Sequence, residues 1–258
     1  MSRFGNLEFG GESEEHQQEQ KPLAKDDAYY WNEATSAFQN GEFERALRLY
    51  SKVLEFNPQN TGAWAGQVRM LIELGEFKEA KLWADKALER FPHAPELLAA
   101  KAVTLARSGD SQGAMAFSDS SVEEHGDSPY IWLARGDVML AAKEQRADYC
   151  FEKALMLAPK DWFVAWLAAR IRFYYEQFVI AFTLLQQAVE WNAGNFFLWL
   201  ELGRCQQELG MTGPARTSYA QVQHLKPDCQ EARLALNELS HTGFFERANG
   251  WFKGLFKQ

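Results

Sequence analysis

The sequence predicts an all-α solenoid of six helical hairpins, and three observations carry that reading. Alanine recurs at Ala46, Ala80, Ala114, Ala147, Ala181 and Ala215, separated by 34, 34, 33, 34 and 34 residues. Proline stands twelve residues after four of them, at Pro58, Pro92, Pro159 and Pro227, while Gly126 and Ala193 hold that slot in the other two. Hydrophobic residues make up 47% of the 258 residues, with nine Trp and nineteen Phe, which demands a packed core and excludes a disordered chain. A period of this length marks stacked helical units, none of which buries its apolar face alone.

Each unit justifies its elements in the same order. A bulky residue opens the first helix at Tyr30, Trp64, Leu98, Trp132 and Trp199, while Ala165 departs from the pattern with Trp162 and Trp166 nearby. Four residues on, the slot is small (Ala34, Ala102, Gly136, Ala169 and Gly203, with Val68 the exception), which lets a second helix approach closely. A turn follows, clearest at Asn40-Gly41-Glu42-Phe43, Gly75-Glu76-Phe77 and Ser108-Gly109-Asp110, where Gly supplies the left-handed conformation that ends a helix. The alanine helix comes next, with Tyr50, Phe151 and Tyr219 in a late aromatic slot, and the proline closes it. Two units depart from the rule. The third has Ser118, Ser121 and Gly126 where larger residues are expected, and the fourth, at Lys143-Glu144, is one residue short in its turn; looser packing is expected at both.

This pattern resembles the tetratricopeptide repeat over residues 27–229. The resemblance implies a right-handed superhelical solenoid with repeats at 27–60, 61–94, 95–128, 129–161, 162–195 and 196–229. It also implies a protein-interaction scaffold or adaptor, not a catalyst, holding a partner peptide or domain in a concave groove lined by the first helices. Carried over slot by slot, the inward ladder is Thr35, Arg69, Val103, Asp137, Arg170 and Arg204. Trp31, Phe163, Trp166, Tyr174 and Phe197 join it on neighbouring turns, as does Tyr130. Arginine and aromatic residues dominate binding hot spots, so Trp31, Arg69, Asp137, Phe163, Trp166, Arg170, Tyr174, Phe197 and Arg204 form the expected groove site. On that reading, Arg170→Glu with Arg204→Glu abolishes partner capture and leaves the fold intact. A carboxylate clamp for a chaperone tail is not expected, because Trp31, Thr35, Ala65 and Ala99 stand where Lys and Asn would be needed.

Charge and composition exclude other classes. A net charge of -8 argues against nucleic acid as a partner, since no basic cluster is available to neutralise phosphates. Three Cys, an odd number without dense spacing, fit reduced thiols in the cytoplasm, and Cys150 and Cys205 are read as apolar fillers. The start, MSRFGNLEFGGESEEHQQEQ, reads as neither a secretory nor a transit leader. The spacing of His16, His93, His125, His224 and His241 from Cys150, Cys205 and Cys229 matches no metal site, and no phosphate-cradling or nucleophile motif occurs. No catalytic residue, metal or cofactor is therefore expected.

The ends are separate pieces. Residues 1–26 read as a disordered acidic tail, and Ala232, Ala235, Leu236 and Leu239 put one apolar stripe on a capping helix at 230–241. Residues 242–258 place Phe244, Phe245, Trp251, Phe252, Leu255 and Phe256 on one face of an amphipathic helix about 22 Å long, too short to cross a bilayer. Gly250 and Gly254 weaken that helix by about 1 kcal/mol each, so a surface must induce it. Four surfaces fit: the end of the solenoid itself, a second copy of the chain, an anionic membrane interface, or a partner's groove. Function therefore has two alternatives to the groove scaffold: a peripheral membrane assembly factor tethered by this helix, and a regulatory subunit of an enzyme.

Overall fold

The computed structural model describes residues 25–124 and 127–240. The expected tail up to residue 24, and the expected docking helix with Phe244, Phe245, Trp251, Phe252, Leu255 and Phe256, lie outside the described residues.

Twelve helices follow one another as six hairpins: α1 (Asp27–Gln39) and α2 (Phe43–Phe56), α3 (Thr61–Glu73) and α4 (Phe77–Arg90), α5 (Pro95–Arg107) and α6 (Ser111–Glu123), α7 (Pro129–Ala141) and α8 (Ala147–Leu157), α9 (Trp162–Tyr174) and α10 (Phe178–Trp191), α11 (Phe196–Glu208) and α12 (Thr212–Leu225). A further helix, α13, occupies residues 230–240, and no strand occurs among the described residues. Successive helices pack on one another along the chain, giving an all-α superhelical solenoid. Among the described residues no helix is long and apolar enough to cross a membrane.

The turns show why the sequence breaks where it does. Gly41, Gly75, Gly109 and Gly210 take positive φ of 71° to 89°, and Lys143 and Glu176 hold the same slot at φ 58°. In every hairpin the amide after this residue bonds back five positions, as Glu42 N–H does to the Ala37 carbonyl at 2.9 Å and Gln177 N–H to the Arg172 carbonyl at 2.9 Å. That bond satisfies a carbonyl the helix end would leave open. An L-residue in this conformation costs about 1–2 kcal/mol, part of which glycine returns as chain entropy. Glu176→Gly is therefore expected to stabilise the protein by about 0.5–1 kcal/mol, read as a higher urea midpoint at unchanged slope. A lower midpoint would show that the Glu176 side chain contributes more than its backbone costs.

The short turn of the fourth unit delays its second helix. The other second helices begin three residues before their alanine, as Phe43 precedes Ala46, but α8 begins at Ala147 itself and has 11 residues. The thinnest junction between successive hairpins, from α7 and α8 to α9, follows directly, and Lys160 adopts φ 60° in the loop that crosses it. Polar replacements in the third unit are bonded instead of loose: Ser121 Oγ donates to the Pro95 carbonyl at 2.8 Å, and Arg135 Nη1 donates to Ser118 Oγ at 3.2 Å.

In the fourth and sixth hairpins the small and aromatic slots form one contact. A Cβ added to Gly136 would lie 2.7 Å from the Phe151 ring, and one added to Gly203 would lie 2.6 Å from Tyr219. Cys205 is buried near the Phe178 carbonyl, and burial pushes its thiol up to about 11. On α13, Ala232 and Leu239 are buried and Ala235 and Leu236 half-buried, and Arg216 Nη2 of α12 donates to the Leu239 carbonyl at 2.8 Å. The main apolar core does not simply run from neighbour to neighbour. It joins Phe38 and Tyr50 of the first hairpin to Trp166, Phe197 and Tyr219 of the last two.

Candidate functional site

The concave face is closed by the protein's own first hairpin. Phe38, near the end of α1, meets Phe163 edge-on with ring centroids 5.1 Å apart, and Trp166 at 5.8 Å. Phe43, at the start of α2, meets Phe197 edge-on at 6.2 Å. Gly41 lies so close to the Phe197 ring that a Cβ there would come within 2.2 Å of its Cζ. Asn195 serves both ends: its Oδ1 accepts from the Phe197 amide at 2.8 Å to cap α11, and its Nδ2 crosses the seam to donate to the Gln39 carbonyl at 3.0 Å. Lys226 lies 3.8 Å from Glu42 across the same seam.

A charge network fills the space beside these rings. Arg170, on α9, donates through Nε and Nη2 to Glu73 Oε2 at 3.0 and 2.6 Å, and through Nη1 to Glu201 Oε2 at 2.8 Å. Its guanidinium also stacks over Phe43 at 4.8 Å. Arg204 pairs with Glu201 and Glu231. Arg107 Nη2 donates to Asp137 Oδ2 at 2.7 Å, and Tyr175 donates its hydroxyl proton to Asp137 Oδ1 at 2.8 Å. Arg69 is held between the rings of Phe38, at 5.0 Å, and Tyr130, at 3.8 Å. Burial alone would raise the Glu73 carboxyl, but Arg170, Arg107 and Arg69 together hold it below the ordinary carboxylate range.

Two openings remain. A cavity of about 30 Å³, too small for a side chain, is bordered by Arg69, Glu73, Arg107, Tyr130 and Asp137. On the other side of the Arg170–Glu73 pair a cleft of about 270 Å³ opens between Phe77, Arg107, Arg170, Phe173, Tyr174 and Arg204, with Glu73 and Glu201 among its lining. Tyr174, 47% exposed, stands at this cleft with the Arg107 guanidinium 4.1 Å from its ring centroid.

The nine expected groove residues thus divide four ways. Arg170, Tyr174 and Arg204 line the cleft. Arg69 and Asp137 border the small cavity, and Phe163, Trp166 and Phe197 lie in the closing seam, with Trp166 fully buried. Trp31 is elsewhere: its ring packs on Tyr50 at 5.7 Å and against Gly62. The expectation that Arg170 reversal leaves the fold intact is corrected by these contacts, because Arg170 is a largely buried bridge between two carboxylates. Glu73, Arg107 and Glu201 went unread as site residues. The signal was present: Glu73, Arg107 and Tyr174 share one repeat slot, four residues beyond the ladder at Arg69, Val103 and Arg170, one helical turn along the same face.

A model of the tetratricopeptide repeat family matches residues 37–103. Comparison with curated protein sequences gives no match. Among solved structures, a tetratricopeptide repeat protein from Parabacteroides merdae superposes with a TM-score of 0.52 at 15% identity, over 86% of this chain and 88% of that one. PilW, described as a widely conserved type IV pilus biogenesis factor, superposes at 0.50 and 17% identity, over 81% of this chain and 98% of its own. A chain of the APC/C hetero-tetramer Cut9–Hcn1 superposes at 0.50 and 17% identity, over 83% of this chain; the match spans 43% of that longer chain. At these identities the likeness is one of fold.

Proposed function

We propose that this solenoid, similar in fold to tetratricopeptide-repeat proteins, is a protein-interaction scaffold that holds a segment of a protein partner at the cleft beside Tyr174. The observation that carries the reading is the cleft's composition: three guanidinium groups against two carboxylates, with Phe77, Phe173 and the half-exposed Tyr174 beside them. Aromatic and arginine side chains are the residue types that supply binding energy at interfaces. Arg204 has 36% of its side chain exposed and is the cation most accessible to an incoming carboxylate, so the segment that fits is acidic with an apolar or aromatic anchor. The closing seam is not offered to the partner, since entering it requires displacing Phe38 and Phe43.

The test is site-specific photocrosslinking in the native cell. A photoreactive residue replacing Tyr174 is expected to give one discrete adduct with another protein, lost when Arg204→Ala is added. The same residue replacing Tyr149, which is 59% exposed and away from the cleft, is the control. Adducts from Tyr149 and none from Tyr174 would remove the cleft from the function.

A further inference from the structure

We propose that residues 243–258 are the second helix of a seventh hairpin, docked on the open flank of α13. Gly243-Phe244-Phe245-Glu246-Arg247-Ala248 and Gly41-Glu42-Phe43-Glu44-Arg45-Ala46 are identical at five of six positions. The register then continues: Gly41, Phe43, Ala46, Tyr50 and Val53 have their counterparts in Gly243, Phe245, Ala248, Phe252 and Leu255 at the same intervals. In the first hairpin these slots are the left-handed turn glycine and four inward side chains, of which Ala46, Tyr50 and Val53 are buried. Gly250, Lys253 and Gly254 fall on the slots of Arg48, Ser51 and Lys52, away from that buried set.

The described part of the chain supplies the seat. Shifted by 34 residues, Leu202, Gly203 and Gln206 of α11 correspond to Leu236, Asn237 and Ser240 of α13. On α11 this flank is buried under α12: Tyr219 packs on Gly203, and Ser218 Oγ donates to Gln206 Oε1 at 2.7 Å. On α13, Asn237 and Ser240 are exposed and Leu236 half-buried. A connection as short as those of the other hairpins puts the next helix antiparallel beside the first, and the chain after Gly243 is long enough for one of the 14 residues of α12. Phe245, Phe252 and Leu255 then gain the apolar contact that an isolated, glycine-containing helix lacks in water. The segment acts as a structural repeat of this chain, and α13 is the first helix of a hairpin, not a terminal cap.

Amide hydrogen exchange on the full chain tests this, at a concentration where it is monomeric and without lipid. Amides of 245–256 and 233–240 are expected to exchange at least about tenfold more slowly in the parent than in Phe252→Asp, and Lys253→Asp is expected to change neither stretch. Equal exchange in the parent and Phe252→Asp overturns the proposal. So does protection that appears only as protein concentration rises, which makes a second copy the occupant, or only with anionic phosphatidylglycerol vesicles, which makes a membrane the occupant. The cleft at Tyr174 is lined by other hairpins and touches α13 through the Arg204–Glu231 pair, which Phe252→Asp leaves in place, so the photocrosslinking outcome is read separately.

Discussion

Arg170→Glu is expected to destabilise the protein by about 3–5 kcal/mol, the cost of leaving a buried charge pair without one partner. The side chains of Arg170, Glu73 and Glu201 are only 19%, 16% and 11% exposed, so water reaches them from the cleft side alone and replaces the lost guanidinium only in part, and the new carboxylate adds a third negative charge. The Arg170–Glu73 bond also spans 97 residues, so breaking it loosens the closure of the solenoid and not one helix turn. Urea unfolding measures the loss, and a double-mutant cycle with Glu73→Gln reads the coupling between the two residues. The pH dependence follows from sign. Because the folded Glu73 carboxyl is held below its ordinary range, its contribution is fully present above the unfolded value of about 4.3 and is lost as pH falls through the folded one. In Arg170→Met that part of the acid-induced loss is expected to shrink. Unchanged stability in Arg170→Glu would mean that the second hairpin does not close on the fifth in solution. Destabilisation also makes this variant a poor test of partner binding, which is why Tyr174 and Arg204 carry the cleft experiment.

The fold was legible because its determinants repeat. A glycine or its substitute at the turn and an alanine at the helix crossing are local requirements stated six times over at one period, and a small residue opposite an aromatic ring recurs in several units, so a lapse such as Glu176 or Val68 does not hide the pattern. Even the missing residue at Lys143-Glu144 had a readable consequence in the late start of α8. The site was legible only in part. Arg69, Arg170 and Arg204 lie on the ladder that the repeat register points to, but periodicity gives direction, not company. That Arg170 faces Glu73 depends on how far the superhelix coils between the second and fifth hairpins, a sum of small rotations that no local motif encodes. For the same reason Phe38 and Phe43 read as ordinary hairpin residues, and Phe197 as part of an open groove, although together they seal the concave face.

Two glycines with the same backbone separate that closure from local turn chemistry. Gly41 and Gly75 hold the same repeat slot at φ 71° and 77°, and both end a first helix with the same back-bonded turn. Their surroundings differ. Nothing lies within 4 Å of a Cβ at Gly75, whereas one at Gly41 would sit inside the Phe197 ring contact. Gly75→Ala is therefore expected to cost only the left-handed backbone penalty, about 1–2 kcal/mol. Gly41→Ala bears that penalty and an overpacking cost of about 1–3 kcal/mol, because Phe197 is itself wedged against Phe43 and Trp166 and has no free direction in which to retreat. The total is expected near 3–4 kcal/mol relative to the parent, and the overpacking part, about 1–3 kcal/mol, is read as the difference between the urea midpoints of the two variants converted at a common slope. A truncating second change resolves the origin of the difference: adding Phe197→Ala should cost less in Gly41→Ala than in the parent, since the methyl group then occupies part of the vacated space. Equal penalties at Gly41 and Gly75 would show an open solenoid whose first and sixth hairpins do not touch, and the concave face would then be a continuous groove.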